Sequence, residues 1–384
     1  MKSILSLIPV VMISFSGFAQ DSTDVVAKIS FNGYIKNLET LSFDKDFREL
    51  ITGNLIHNRI NLKWKPAKGI SAVVEFRNRL FWGEQVKLTP GFASLLRNQN
   101  EKINLQKTWI NDRSLVLHTN VERLYFDLGN DKWDLRLGRQ RINWGINTTW
   151  NPNDIFNVYN FLDFDYEERP GVDGGKVQYM FTNTSEAEIA YAFTGADQKS
   201  TGALKYAWNK WNYDMQLIAG WYNGHLTLGT GWAGYIGDGG FKGEAQYFFK
   251  TKDSPDHFNM TFEGDYLLKN GWYINTGFLF NNHGLYKTVN TWQSINLSLS
   301  PENLMPTKWN VIVTTAKEFN PLLSATVSMI YAPGTNLLIL FPSVQYSIAT
   351  NLDVNLVWQS YLVEVNRSFE AVSHQCFLRM KWNF

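Results

Sequence analysis

Cys376-Phe377-Leu378-Arg379-Met380-Lys381-Trp382-Asn383-Phe384 closes the chain and alternates strictly. Cys376, Leu378, Met380, Trp382 and Phe384 fall on one face, and Phe377, Arg379, Lys381 and Asn383 on the other. A period of two belongs to an extended strand. A strand with one greasy face and one mostly cationic face needs lipid or core on one side and water on the other. Alone, the segment also fits the edge of a soluble sandwich, so the rest of the chain decides.

At the opposite end Lys2 precedes an apolar run from Ile4 to Phe18, followed by Ser16-Gly17-Phe18-Ala19. That is the layout of a secretory signal peptide, too short to span a membrane as a helix. Cleavage after Ala19 is expected, leaving residues 20–384 as a single domain. No Cys sits at the junction to take a lipid. The lone Cys376 has no internal disulfide partner and falls on the apolar face.

A mature chain of about 365 residues would ordinarily suggest two soluble domains, yet no linker or compositional break divides it. Aromatic residues make up 15%, with 15 Trp, 17 Tyr and 26 Phe, while hydrophobic residues total an ordinary 44%. No apolar run after residue 19 is long enough for a helical span. Aromatic richness with apolar residues dispersed at period two is what a transmembrane barrel needs. The net charge of +1 gives no reason to expect nucleic acid.

Strand signals run from Val26 to the end. Asn58, Ile60, Leu62 and Trp64 oppose His57, Arg59, Asn61 and Lys63; Phe258, Met260 and Phe262 oppose Asn259, Thr261 and Glu263. Tight turns are expected at 66–69, 129–132, 182–185, 209–212, 237–240, 268–271, 319–321 and 349–351. The links between them are mostly longer, the longest at 86–112, 146–173 and 282–305. Short turns alternating with long loops predict an all-β, transmembrane, antiparallel up-and-down barrel of about 18 strands, with 16 as the other even count. No plug domain fits before the first strand. The closing strand ending in Phe384 resembles that of Gram-negative outer-membrane barrels, which implies outer-membrane lipid and the barrel assembly machinery as partners. Both termini and the short turns are then periplasmic. A homo-oligomer is compatible with this reading.

A barrel of that width leaves an aqueous lumen. Strand parity turns Lys28, Lys36, Arg59, Lys63, Glu75, Arg77, Arg79, Arg123, Tyr125, Asp127, Asp134 and Arg136 inward as a largely basic arc. Glu244, Glu263, Asp265 and Asp353 form an acidic wall elsewhere, so a transverse field is expected across a constriction. The alternative is that these charges pair with one another and only stiffen the barrel.

Leu137-Gly138-Arg139-Gln140-Arg141-Ile142-Asn143-Trp144-Gly145 breaks this parity. Continuing from Leu135 and Leu137 would put Arg139 and Arg141 in lipid, at about 2–4 kcal/mol each near the midplane. A bulge at Gly138 is therefore expected, turning Arg139, Arg141 and Asn143 inward and Ile142 and Trp144 outward, with Trp144 in the aromatic girdle.

Asp134 to Gly145, then Trp150-Asn151-Pro152-Asn153-Asp154, then Glu168-Arg169-Pro170-Gly171-Val172-Asp173-Gly174-Gly175-Lys176 resemble a signature of porin-like outer-membrane proteins. These are loosely similar to alginate-export barrels, and the match spans 121–176. The resemblance implies a passive or export channel whose arginines sit where this loop meets the lumen. Asp154, Arg169 and Asp173 join Arg77, Arg79, Arg123, Asp127, Arg136, Arg139, Arg141 and Asn143 as expected pore-lining residues. The loop at 146–173 is acidic at Asp163, Asp165, Glu167 and Glu168. Folded inward, it would pair with Arg139 and Arg141 and narrow the pore; otherwise it is a solvated surface loop. The Asp163/Asp165/Glu167 alternation offers calcium-type ligands without the spacing of a helix–loop–helix site.

The six histidines, at 57, 118, 225, 257, 283 and 374, lack any paired metal-binding spacing. No nucleophile elbow or phosphate-binding glycine loop occurs, and His374 falls on the lipid parity. No cofactor and no catalytic residue is expected. The sequence supports a channel for small polar or anionic solutes, with an exit duct for an anionic polysaccharide or a non-conducting adhesion or scaffold barrel as alternatives.

Overall fold

The computed structural model describes residues 29–98, 101–158, 160–165, 170–195, 199–295 and 298–384. The expected signal peptide, Lys28, Glu167, Glu168 and Arg169 lie outside them. Long amphipathic strands follow one another in antiparallel order. They are β1 (Ile29–Asp44), β2 (Leu50–Ala67), β3 (Ile70–Gly83), β4 (Gln106–Asn111), β5 (Leu115–Gly129), β6 (Trp133–Gln140) and β7 (Val172–Thr182). Next come β8 (Ser185–Phe193), β9 (Thr201–Lys210), β10 (Tyr213–Tyr222), β11 (His225–Ile236), β12 (Gly239–Phe248) and β13 (His257–Leu267). The last are β14 (Trp272–Asn281), β15 (Trp309–Asn320), β16 (Leu323–Ala332), β17 (Leu337–Ala349), β18 (Leu352–Val365) and β19 (Ser368–Asn383).

Eighteen of these are staves of one closed barrel, and β4 is a short addition. β1 pairs with β2 on one edge and with β19 on the other, from Tyr34↔Asn383 to Asp44↔Ser373. Phe384 completes the seam through two backbone hydrogen bonds with Gly33, each 3.0 Å, and its ring stacks on Phe31 at 5.6 Å. Closure leaves no full-length edge, the condition for strands to cross a bilayer. All eight expected tight turns occur, on one end of the barrel. Among the described residues no separate domain plugs the lumen.

Alternation sorts the side chains. On β13 Asn259, Thr261 and Glu263 are buried within, and on β19 Leu378, Met380 and Trp382 are exposed on the outer surface. The apolar outer face is suited to lipid. An 18-stave lumen is too wide for its own side chains to fill, and three outer links fold into it. Two short helices, α1 (Glu84–Leu88) and α2 (Phe92–Leu95), lay Val86 and Ala93 on Val116 and Phe81 of the inner wall. Described residues of the links between β6 and β7 and between β14 and β15 cover an apolar inner patch on β14–β18, where Leu279, Ile312, Ile330, Ile339 and Val363 pack under Trp150, Leu162, Leu304 and Met305. A uniformly polar lumen is therefore not what folds.

The expected bulge at Gly138 is absent. β6 keeps continuous register through Tyr125↔Gly138 and Leu124↔Arg139 on one side, and Gly138↔Gly174 and Arg139↔Asp173 on the other. The extra residue lies on the neighbouring strand, where Glu75↔Arg123 is followed by Phe76↔Val121 and Glu122 is left over. Below that bulge Tyr125 and Asp127 take the inner parity, and Leu124, Phe126 and Leu128 are exposed outside. Gly138 contributes differently. Its φ is +119°, and a Cβ there would stand 2.2 Å from the Leu124 carbonyl oxygen. β6 ends two residues later and the chain turns inward. The outer half of β5 that β6 no longer covers is paired by β4, and the Leu105 carbonyl accepts from Val121 N–H at 3.0 Å.

Candidate functional site

Where β6 leaves the wall, Arg139 is 2% exposed and fully engaged. Its guanidinium donates to both Asp173 carboxylate oxygens, at 2.8 and 3.0 Å, and to the Val121 carbonyl at 3.0 Å. It also donates to the Ile103 carbonyl and forms an ion pair with Glu101 at 3.0 Å. The fork geometry of arginine suits such a junction. Burial pushes the Glu101 carboxyl upward despite the Arg139 charge. Gly171 fits only because it lacks a Cβ, which would meet the Glu122 carbonyl at 2.4 Å and the Arg139 side chain at 2.8 Å.

From there residues 141–157 run along the inner wall. Ile142 and Trp144 are buried inside rather than facing lipid, packed with Phe156, Ala190, Ala192 and Ile218. Trp144 Nε1 donates to Glu188 at 2.7 Å, so the expected girdle position is corrected. The indole N–H needs an acceptor, and the inner face of β8 supplies one. Two buried glutamates on the far wall then bind the loop backbone. Glu244, 0% exposed, accepts from the N–H groups of Ile146 at 2.5 Å, Asn147 at 2.6 Å and Asn153 at 2.9 Å. Glu263, 1% exposed, accepts from Thr148 at 2.7 Å and Thr149 at 2.8 Å. These two carboxylates hold the loop in place instead of forming an acidic face across an open pore.

The tip of the loop crosses to the basic side. Lys36, 1% exposed, meets Asp165 at 2.6 Å, and His57 and Arg379 each lie 3.9 Å from the same carboxylate. Phe164 sits beneath the Arg379 guanidinium, 4.6 Å from its centre, and Gln359 donates to the Leu162 carbonyl at 3.2 Å. Burial alone would raise the Asp165 carboxyl, but the His57 ring and the Lys36 ammonium outweigh it and hold it at about 2. Asp163 goes the other way, pushed up by burial and by the charge of Asp165. The loop thus folds inward as expected but pairs elsewhere. The described carboxylates on Arg139 are Glu101 and Asp173, not the acidic tip.

The remaining expected residues divide. Arg77 reaches Glu122 at 3.4 Å, and Arg123 donates to the Glu122 carbonyl at 2.8 Å. Arg79 donates to the Leu96 carbonyl at 3.2 Å, tying α2 to the wall. Arg136 pairs with Asp127 and lies over the Tyr125 ring at 4.5 Å. Arg59 pairs with Glu75. Asp154 is buried and accepts from Trp144 N–H at 3.4 Å. Arg141 is half-buried and Asn143 exposed. The basic arc is real, but much of it is paired side chain to side chain. Sequence reasoning missed Glu101, Glu122 and Glu188, and a buried arginine's need for acids was the signal available. Among the described residues no group of three or more His, Cys, Asp or Glu is arranged to hold a metal ion.

No family model matches the sequence, and no curated protein is similar to it. Solved structures are similar in fold. OccAB4 of Acinetobacter baumannii superposes with a TM-score of 0.60 at 11% identity, covering 93% of this chain and 99% of that one. OpdQ of Pseudomonas aeruginosa gives 0.59 at 9% identity over 94% and 99%. The outer membrane protein OprD of Pseudomonas aeruginosa gives 0.60 at 8% identity over 93% of each. The fold shared with these proteins is a closed antiparallel up-and-down β-barrel, here with 18 staves.

Proposed function

We propose that this chain is a passive outer-membrane channel for small polar or anionic solutes, reached after export by the signal at 1–19 and assembled through its Phe384-terminated strand. The observation that carries the reading is the juxtaposition of an inward loop with a cationic wall. The tip at Phe164–Asp165 lies against Lys36 and Arg379, while Arg77, Arg79 and Arg123 continue the same arc. Charges lining a narrow aqueous passage bias which ions enter it. Arg139, Asp173 and Asp154 shape the constriction by placing the loop; Arg136 and Asp127 pair on the inner wall where β5 and β6 run toward the tight-turn end.

The test is conductance of the purified protein in planar bilayers. Discrete steps with a reversal potential favouring anions support the reading, and Arg77→Ser with Arg79→Ser is expected to reduce that preference. A folded barrel without conductance overturns it and favours a scaffold barrel closed by its loops. The inward packing of Val86 and Ala93, of Trp144, Trp150 and Leu162, and of Leu304 and Met305 makes that second reading concrete.

A further inference from the structure

Between the returning limb of the 141–171 loop, the inner wall at β8–β10 and the 282–308 loop lies a cavity of about 380 Å³. Phe156, Asn160, Pro170, Thr201, Tyr222 and Pro301 line it. Its chemistry differs from the rest of the lumen. All its described lining side chains are uncharged, whereas the cavity near β19 holds Lys45 and Glu370 and the one above β14 holds His257, His283 and Glu302. The volume falls within the range of about 300–1,000 Å³ usual for small-molecule sites.

Hydrogen-bonding capacity is left over here. The Asn160 amide oxygen accepts from Leu162 N–H at 3.1 Å, but its NH₂ has no partner among the described residues. The same holds for the Tyr222 hydroxyl, whose ring is fixed edge-on to Phe248 at 5.5 Å, and for the Thr201 hydroxyl. Asn157, by contrast, is used up, accepting from Ile142 N–H at 3.2 Å and donating to the Pro170 carbonyl at 2.8 Å. The cavity therefore combines apolar surface from Phe156, Pro170 and Pro301 with an amide donor and two hydroxyls. A ligand that matches has an apolar ring face, hydroxyls around its edge and no charge. An anionic solute would lose hydration there without a counter-charge, since the charge that bears on Tyr222 is the Glu302 carboxylate.

We propose that this cavity is a binding subsite for a neutral hydroxylated ring solute of the hexopyranose class. The proposal rests on the channel reading for its purpose, since two of its walls are the inward loops, but its chemistry stands apart from the basic arc. Tyr222 and Thr201 set specificity by donating to or accepting from ring hydroxyls.

The experiment is saturation-transfer NMR on the folded, detergent-solubilised protein with glucose as the probe. A linear ethylene glycol oligomer of similar mass is the control. Transfer to glucose above the control is expected, weakened about 3- to 10-fold in Tyr222→Phe and again in Thr201→Val, the loss of roughly one hydrogen bond each. Both variants keep their ring or branch and are checked for the heat-modifiable folded band. No transfer above the control overturns the subsite, as does transfer unchanged in both folded variants. Failure to conduct would remove the channel reading while leaving this result intact, so the two outcomes are distinguishable.

Discussion

The inward loop is held at two places by different physics. Its first limb, 146–153, hangs by backbone N–H groups from two glutamates with almost no water contact. Its tip is held through a side-chain carboxylate facing three basic side chains. Backbone hydrogen bonds to a buried charge fix the path of the chain, and breaking them strands both partners. The ion pair at the tip is buried too, Lys36 being 1% exposed, so losing it strands a single cation, whereas losing a glutamate strands a row of backbone donors. One end of the loop is thus tied through its backbone and the other through one side chain.

Removing the clamp at the root of the first limb is the severest way to break this contrast. Arg139→Ala leaves Glu101 and Asp173 buried without their cation, and a cost of about 3–5 kcal/mol is expected. The fall in the temperature at which the heat-modifiable band is lost measures it, and melting like wild type would show that the clamp is dispensable. Glu244→Ala comes next, at about 1–3 kcal/mol for its stranded donors. Amide exchange at 146–153 should rise sharply, with a larger, noisier conductance; unchanged protection would place the anchor elsewhere. Asp165→Asn acts on the tip alone, raising conductance and anion preference while leaving exchange at 146–153 as before. A coupled rise at both places would mean that the loop moves as one body.

The smallest effect is the pH response of wild type. Asp165 is held at about 2, below its ordinary 3.8, so its anchorage is complete above about pH 4 and is lost as pH falls through about 2. Conductance should be insensitive to this group from pH 7 to 4 and rise below about 3. Asp165→Asn should lack that step.

The barrel was legible because its signal is distributed: period two and turn chemistry recur around every hairpin, so errors in one strand do not spread. The site was less so. Parity correctly flagged Arg139 as a conflict but could not say which strand would absorb it, because a bulge on β5 and a turn of direction after Gly138 both keep Arg139 out of lipid. Parity puts Trp144 in the girdle only if the strand continues past Gln140, and β6 ends there. Glu244 and Glu263 read as pore charges because nothing local reveals that a loop about 100 residues earlier in sequence lies across them. Charge type was visible; its partner was a matter of tertiary placement.

Arg139 also joins two loops, which meet directly where Ile103 N–H donates to Asp173 at 2.7 Å. Its Nη1 pairs with Glu101, its Nη2 donates to both the Ile103 carbonyl and Asp173, and its Nε donates to Asp173, where the 141–171 loop re-enters the wall. A displacement of the 84–105 loop therefore has a mechanical route to the stem of the 141–171 loop. Communication of this kind is a reciprocal coupling free energy. Whatever seats at the inner loop must, to the same degree, change how firmly the outer one is held.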